Sequence, residues 1–130
     1  MDSLQPTILI VDDEKHTRDG LRRLLENEYD TYIAEDIRGA MDVLEREPID
    51  VLITDLRLGG EDGMALIERA MKLPHPPISI MMTAYGTVDT AVEAMKRGAY
   101  DFVTKPLNLD KVEMLISRAL ASRKMEQENR

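Results

Sequence analysis

Five short runs rich in β-branched and apolar residues alternate strictly with five amphipathic segments, and this alternation limits the possible folds more than any other feature of the chain. The runs are TILIV (Thr7 to Val11), YDTYIA (Tyr29 to Ala34), DVLIT (Asp50 to Thr54), PISIMM (Pro77 to Met82) and YDFV (Tyr100 to Val103). Apolar residues recur at helical spacing between them. Leu21, Leu24 and Leu25 share one face of the first segment, and Met41 and Leu44 mark the second. Ala65, Leu66, Ala70 and Leu73 mark the third; Val88, Ala91, Val92 and Met95 fall at i, i+3, i+4 and i+7 in the fourth. A fifth segment runs from about Leu109. Asp36, Thr87 and Asn108 stand where helix N-caps belong, and Gly98 where a helix should stop. Parallel strands need long crossover connections, which a helix after each strand supplies. The spacing therefore predicts an α/β fold: one doubly wound, five-stranded parallel sheet with five helices covering both faces.

Length and composition narrow the functions open to such a fold. The 130 residues suit one domain, with 43% apolar and 32% charged residues. No apolar run nears the roughly 20 residues that span a bilayer. The opening MDSLQPT is acidic and polar and does not read as a secretory signal, so a cytoplasmic location is expected. There is no cysteine, which excludes disulfides, thiolate catalysis and zinc-thiolate sites. A formal charge of −8, no Trp and one Phe argue against direct binding to nucleic acid, where cations and stacking surfaces carry the affinity.

The strand ends are unusually polar. Asp12 and Asp13 follow the first strand, Asp55 the third, Thr83 the fourth and Lys105 the fifth. In an open parallel sheet, ligands bind at the carboxyl ends of the strands. Lys105 comes 22 residues after Thr83, Thr83 comes 28 after Asp55, and Asp55 comes 42 after Asp13. The first two gaps fit one strand-helix unit and the third fits two, as expected if the second strand lies on the outer edge. Singly, each residue has a plain structural reading: the acid pair could cap a helix, and Lys-Pro could be a turn. Together they place three carboxylates, a hydroxyl and an ammonium at one edge. Crowded carboxylates raise one another's pKa, and a hard divalent cation removes the conflict. Magnesium suits oxygen ligands and phosphate, and lysine and hydroxyl suit phosphoryl oxygens. Phosphoryl transfer needs these parts, because its catalysis is mostly positioning and charge neutralisation.

VDDE, ITDLR, MMTAYG and FVTKPLN resemble the four landmarks of the receiver domains of two-component response regulators, over about residues 5 to 120. The stretch TAYGTVDTAVEAMKRGAYDFVTKPLNLDKV is similar to the receivers of enhancer-binding transcription activators with an AAA+ ATPase domain. The resemblance implies a flavodoxin-like strand order, 2-1-3-4-5. It implies that Asp55 is the phosphoacceptor. Mg2+ would be ligated by Asp13, Asp55 and the Arg57 carbonyl, with Asp12 acting through water. Lys105 would pair with the phosphoryl group, and Thr83 would move to hydrogen-bond it with help from the Ala84 amide. Phe102 would be the switch aromatic, and the Lys105–Pro106 peptide would be cis. The donor would be a phosphohistidine on a sensor histidine kinase. AAA+ and DNA-binding domains would follow in a longer chain, with residues 1–120 forming the receiver and 121–130 a helical extension or linker. A homodimer is expected through the face of the fourth helix, fifth strand and fifth helix, or through the last helix.

Some positions depart from the family's common pattern. Leu58, Gly59 and Gly60 stand where Met-Pro-Gly is frequent, which predicts a looser loop. Phe102 lacks the hydroxyl of a tyrosine, and Arg57 and Tyr85 occupy positions that tune phosphate lifetime. Leu109, Val112, Ile116 and Ala119 are spaced 3, 4 and 3 apart, as in a heptad seam, with Leu115 and Leu120 widening the stripe. All six could equally dock on the core. His16 and His75 read as surface residues, the nine methionines mostly as core filler, and Arg22-Arg23 and Lys96-Arg97 as solvated helix faces. A magnesium-dependent phosphatase with an aspartyl-phosphate intermediate is the alternative function, but no general acid or substrate pocket is signalled. A nucleotide- or flavin-binding domain would want a glycine-rich loop where DDEKHT stands. A degenerate interaction module would be expected to lose site residues, and all are present.

Overall fold

The computed structural model of the chain describes residues 5–84 and 86–128; Tyr85 lies outside them, as do the first four residues and the last two. The elements run β1 (Thr7–Val11), α1 (Lys15–Leu25), β2 (Asp30–Ala34), α2 (Ile37–Arg46) and β3 (Val51–Asp55). A small hairpin follows, β4 (Arg57–Leu58) and β5 (Glu61–Asp62), which the sequence had not signalled. Then come α3 (Gly63–Met71), β6 (Ile78–Thr83), α4 (Val88–Lys96), β7 (Asp101–Thr104) and α5 (Leu109–Glu128). The main sheet has the order β2-β1-β3-β6-β7, and every pair is parallel. This is the expected 2-1-3-4-5 arrangement once the hairpin is set aside.

Strand periodicity sorts the core into two layers. On one face Leu9, Val11, Leu52 and Met81 meet Ala40, Met41 and Leu44 of α2 and Leu66, Ile67 and Ala70 of α3. On the other, Ile8, Ile10, Ile53, Ile80 and Met82 meet Leu21 and Leu25 of α1 and Val112, Leu115, Ile116 and Ala119 of α5. Two buried faces explain why the central strands read as unbroken apolar runs. The expected caps form: Asp36 accepts from the Gly39 amide at 2.8 Å, Thr87 from Thr90 and Asn108 from Lys111, each at 3.1 Å. Gly98 closes α4 at a φ of 116°.

One open alternative is decided and two expectations are corrected. The stripe on α5 is not a free heptad seam: Val112, Leu115, Ile116 and Ala119 are buried on the sheet and Leu120 packs beside them, leaving Leu109 as the exposed member. Spacing alone could not distinguish a partner helix from the chain's own sheet. Methionine is less a core residue than expected, because Met71, Met95, Met114 and Met125 are exposed while Met41, Met64, Met81 and Met82 are buried. Arg97 is only partly solvated. Its guanidinium pairs with Glu68 at 2.6 Å and lies 3.5 Å from Asp62, clamping the end of α4 to α3. That pairing holds the Glu68 carboxyl below its ordinary range. The histidines are at the surface, as expected.

Candidate functional site

Strand register builds the site one residue at a time. Val11 pairs with Thr54, Asp55 with Met82, and Thr83 with Thr104. One step beyond these pairs stand Asp12, Thr83 and Lys105, so the polar side chains emerge together at the carboxyl edge. Asp55 and Thr83 are the last residues of their strands rather than the first of the loops, and Lys105 follows β7. The Lys105 amide donates to the Thr83 carbonyl at 2.8 Å, which carries the lysine to the same edge. The β1/β3 junction, where the winding reverses, is where such a sheet opens a crevice.

Three carboxylates converge there. Single ligand atoms of Asp12, Asp13 and Asp55 lie within 4.8 Å of one another. Asp12 is fully buried and Asp55 keeps 8% of its surface, whereas Asp13 is exposed. The Lys105 ammonium reaches into the cluster, 2.7 Å from Asp55 Oδ2 and 2.9 Å from Asp12 Oδ2. Burial pushes the Asp12 carboxyl above its ordinary value, against the pull of the Glu14 amide and Lys105. Burial also works against the charge on Lys105, but its bonds to Asp55 and Asp12 outweigh that and raise its pKa, so it stays cationic at neutral pH. Three carboxylates facing one ammonium leave two formal negative charges. That deficit, in an all-oxygen donor set, fits a hard divalent cation.

The other residues singled out in the sequence lie around this edge. Arg57 lies on β4 and donates its amide to Asp55 Oδ1 at 3.3 Å. Thr83 is buried, Ala84 follows it at the surface, and Phe102 is half-buried against the helical layer. A Cβ added to Gly86 would touch Thr104, Phe102 and Thr83 together, so these side chains line one small space at the entry to α4. The Lys105–Pro106 peptide is cis, as expected.

Sequence reasoning missed several supports. Arg18 donates to the Asp12 carbonyl at 2.8 Å and pins the acid turn from α1. The Gly59 amide donates to Asp13 Oδ2 at 2.9 Å across 46 residues. Gly63 starts α3 with its amide on the Leu56 carbonyl at 2.7 Å. Helix and strand periodicity marks none of these contacts: two close short turns six and seven residues long, and the third joins segments that only the fold brings together.

Comparison with known proteins agrees with this geometry. Residues 8–117 match the model of the response regulator receiver domain. The chain belongs to the response regulator receiver domain family. This receiver is 41% identical over 122 residues to the response regulator protein PilR of Pseudomonas aeruginosa, covering 92% of the receiver and 27% of PilR. Among solved structures, a response regulator receiver domain protein of Methanospirillum hungatei superposes with a TM-score of 0.88 at 30% identity, covering 95% of this chain and 99% of that one. NtrX of Brucella abortus gives 0.88 at 33% identity, covering 96% of this chain and 29% of NtrX. The chain thus spans about a quarter of the length of the curated relatives it matches. It is a signalling receiver of the two-component type with the doubly wound receiver fold. No helix among the described residues is long and apolar enough to cross a membrane.

Proposed function

We propose that Asp55 accepts a phosphoryl group from a phosphohistidine on a sensor histidine kinase and that the receiver thereby changes its protein contacts. The observation that carries this reading is the Lys105 ammonium set 2.7 Å from an Asp55 carboxylate that shares its crevice with two more acids. An Asp55 carboxylate oxygen attacks phosphorus, the new P–O bond forms as the P–N bond breaks, and the imidazole leaves with the electron pair. Lys105 stays protonated and neutralises the phosphoryl oxygens. Magnesium, held by Asp13, Asp55 and the Arg57 carbonyl with Asp12 through water, would neutralise the remaining charge. A groove of about 550 Å³ beside Lys105, lined by His16, Thr17, Gly20, Leu21, Pro106 and Leu107, leaves the site open on that side. Incubation with a small phosphodonor and magnesium should add the mass of one phosphoryl group to the intact protein; no gain would overturn the reading.

Metal binding should rank the acids. Asp13→Ala is expected to weaken magnesium binding more than Asp12→Ala, because a direct ligand is lost rather than a water-bridged one. A calorimetric titration giving equal or reversed losses would remove that distinction.

Phosphorylation adds about −1.5 to −2 charges and new acceptor oxygens. Thr83 and the Ala84 amide donate to them, Thr83 moves inward, and the Phe102 ring follows into the vacated space. The affected surface is that of α4, β7 and α5. Ala94 is the buried residue of α4, while Val88 is 80% exposed and Val92 and Met95 are also exposed, which supports this face as the place of dimerisation. Converting a 1:99 equilibrium to 99:1 takes about 5.5 kcal/mol. One hydroxyl bond and one ring movement supply part of that, so a phosphoryl mimic should raise the sedimentation coefficient partially. An unchanged coefficient, with Thr83 and Phe102 unmoved, would sink the route. We also assign residues 1–120 to the receiver and 121–130 to a helical extension toward AAA+ and DNA-binding domains; α5 continues unbroken to Glu128, and the chain covers 27% of PilR.

A further inference from the structure

Asp13 is held differently from the other two acids. Asp12 and Asp55 are both tied to Lys105, whereas Asp13 is exposed and receives the Gly59 amide at 2.9 Å. A hydrogen bond to one carboxylate oxygen fixes the rotamer of an otherwise mobile side chain. The aim of that amide depends on the hairpin β4–β5, in which Arg57 pairs with Asp62 and Leu58 with Glu61. Gly59 has a φ of 65° and is the first central residue of the two-residue turn, the position at which a type II′ turn requires glycine.

A two-stranded hairpin is marginal on its own. This one has only two residues per strand, so outside contacts must hold it. Leu58 is buried in the core. Asp62 caps α3, accepting from the Met64 amide at 2.9 Å. Glu61 reaches the other way: its Oε1 accepts the Ile37 amide at 3.1 Å, at the N-terminus of α2, where a carboxylate is favoured. Glu61 is exposed and has no part in the chemistry proposed above.

We propose that Glu61 is a positioning residue for the metal site: it straps the hairpin to α2 and, through the Gly59 amide, holds Asp13 in the arrangement that binds a divalent cation. This rests on the reading that Asp13 is a metal ligand. It also explains how a Gly-Gly loop serves beside a metal. The turn contributes an amide at a backbone angle that only glycine adopts easily, and the strap supplies the order that the glycines lack.

The test is a magnesium titration of the intact chain, followed by calorimetry and by the NMR signal of the Gly59 amide. Outer contacts of metal ligands are worth about 10–100-fold in affinity, and an indirect strap should fall at the lower end. Glu61→Ala should weaken binding about tenfold and speed hydrogen exchange at the Gly59 amide. Glu61→Gln keeps the acceptor and removes the charge, so it should bind within about twofold of the wild type. Equal weakening by both variants would make Glu61 a purely electrostatic contributor and overturn the proposal, as would unchanged binding by Glu61→Ala. A second pair does not depend on Glu61. A Cβ at Gly59 or Gly60 meets nothing within 4 Å, yet only Gly59 has a positive φ. Gly59→Ala should therefore weaken magnesium binding and Gly60→Ala should not; equal effects would count against the turn's role. If the wild type binds magnesium and Asp13→Ala does not weaken it, the ligand reading fails and the strap fails with it. If Asp13 matters and Glu61→Ala binds normally, only the strap fails.

Discussion

Asp55→Asn is expected to abolish the magnesium-dependent gain of one phosphoryl mass while leaving the fold within about 1 kcal/mol of the wild type. Loss of labelling follows from chemistry: an amide oxygen is not a nucleophile toward phosphorus, and no isosteric change restores one. The small effect on stability follows from two opposing terms. The substitution removes the charged partner 2.7 Å from Lys105, which costs a charge-assisted hydrogen bond. It also removes a carboxylate whose charge helps raise the pKa of buried Asp12. A raised Asp12 destabilises the native state at neutral pH. That penalty is absent below pH 3.8, where folded and unfolded chains both carry the proton, and it grows as pH rises from there to the raised native value. Asp55→Asn relieves only the smallest part of it, since burial, its main cause, stays in place, so any gain relative to the wild type should show near neutral pH and vanish below pH 3.8. Intact-mass analysis and thermal melts at both pH values check this. Labelling at a comparable rate would move the nucleophile to Asp12 or Asp13.

Gly63→Ala should be the most damaging single methyl in the chain. A Cβ at Gly63 would stand 2.0 Å from the Asp55 carbonyl oxygen and 3.1 Å from the Leu56 Cα. Both are backbone atoms, so no side chain can swing aside. The Gly63 amide is bonded to the Leu56 carbonyl at 2.7 Å, so α3 cannot retreat without losing that bond. Overpacking of this kind costs about 1–3 kcal/mol, and a backbone clash belongs at the top of that range or above it. The atom displaced belongs to the nucleophile's own residue, and a shift of about 1 Å at a reacting group can cost roughly 10²-fold. Thermal unfolding should therefore show a loss of about 3 kcal/mol, and residual folded protein should label about a hundredfold more slowly. A variant that melts and labels like the wild type would show that the α3 junction has slack that the geometry denies.

Much of this was legible along the chain. Apolar runs such as ILIV, with helical segments between them, determined a parallel sheet buried on both faces, because only that arrangement hides such runs while its connections supply the covering helices. The gaps between Asp13, Asp55, Thr83 and Lys105 place them at one sheet edge, because each strand-helix unit returns the chain to that edge. Caps at Asp36, Thr87 and Asn108 were readable for the same reason: a cap is a contact within four residues.

What the sequence could not show were pairings between distant segments. Arg97 read as a solvated cation until the fold set Glu68 beside it. The α5 stripe read equally well as a partner seam or as core, because helical spacing records that a face is apolar and not what covers it. Gly59 and Gly60 predicted a loose loop, and only tertiary contacts at Leu58, Glu61 and Asp62 turned that loop into a hairpin with its amide on Asp13. Periodicity and local hydrogen bonding are properties of neighbours along the chain, so sequence alone determined the elements and the edge where the site stands. The aim of the site's side chains depends on atoms far along the chain, Asp13 on Gly59 46 residues away and Lys105 on Asp55 and Asp12 50 and 93 residues away, brought within about 3 Å by packing, and that only the tertiary structure decided.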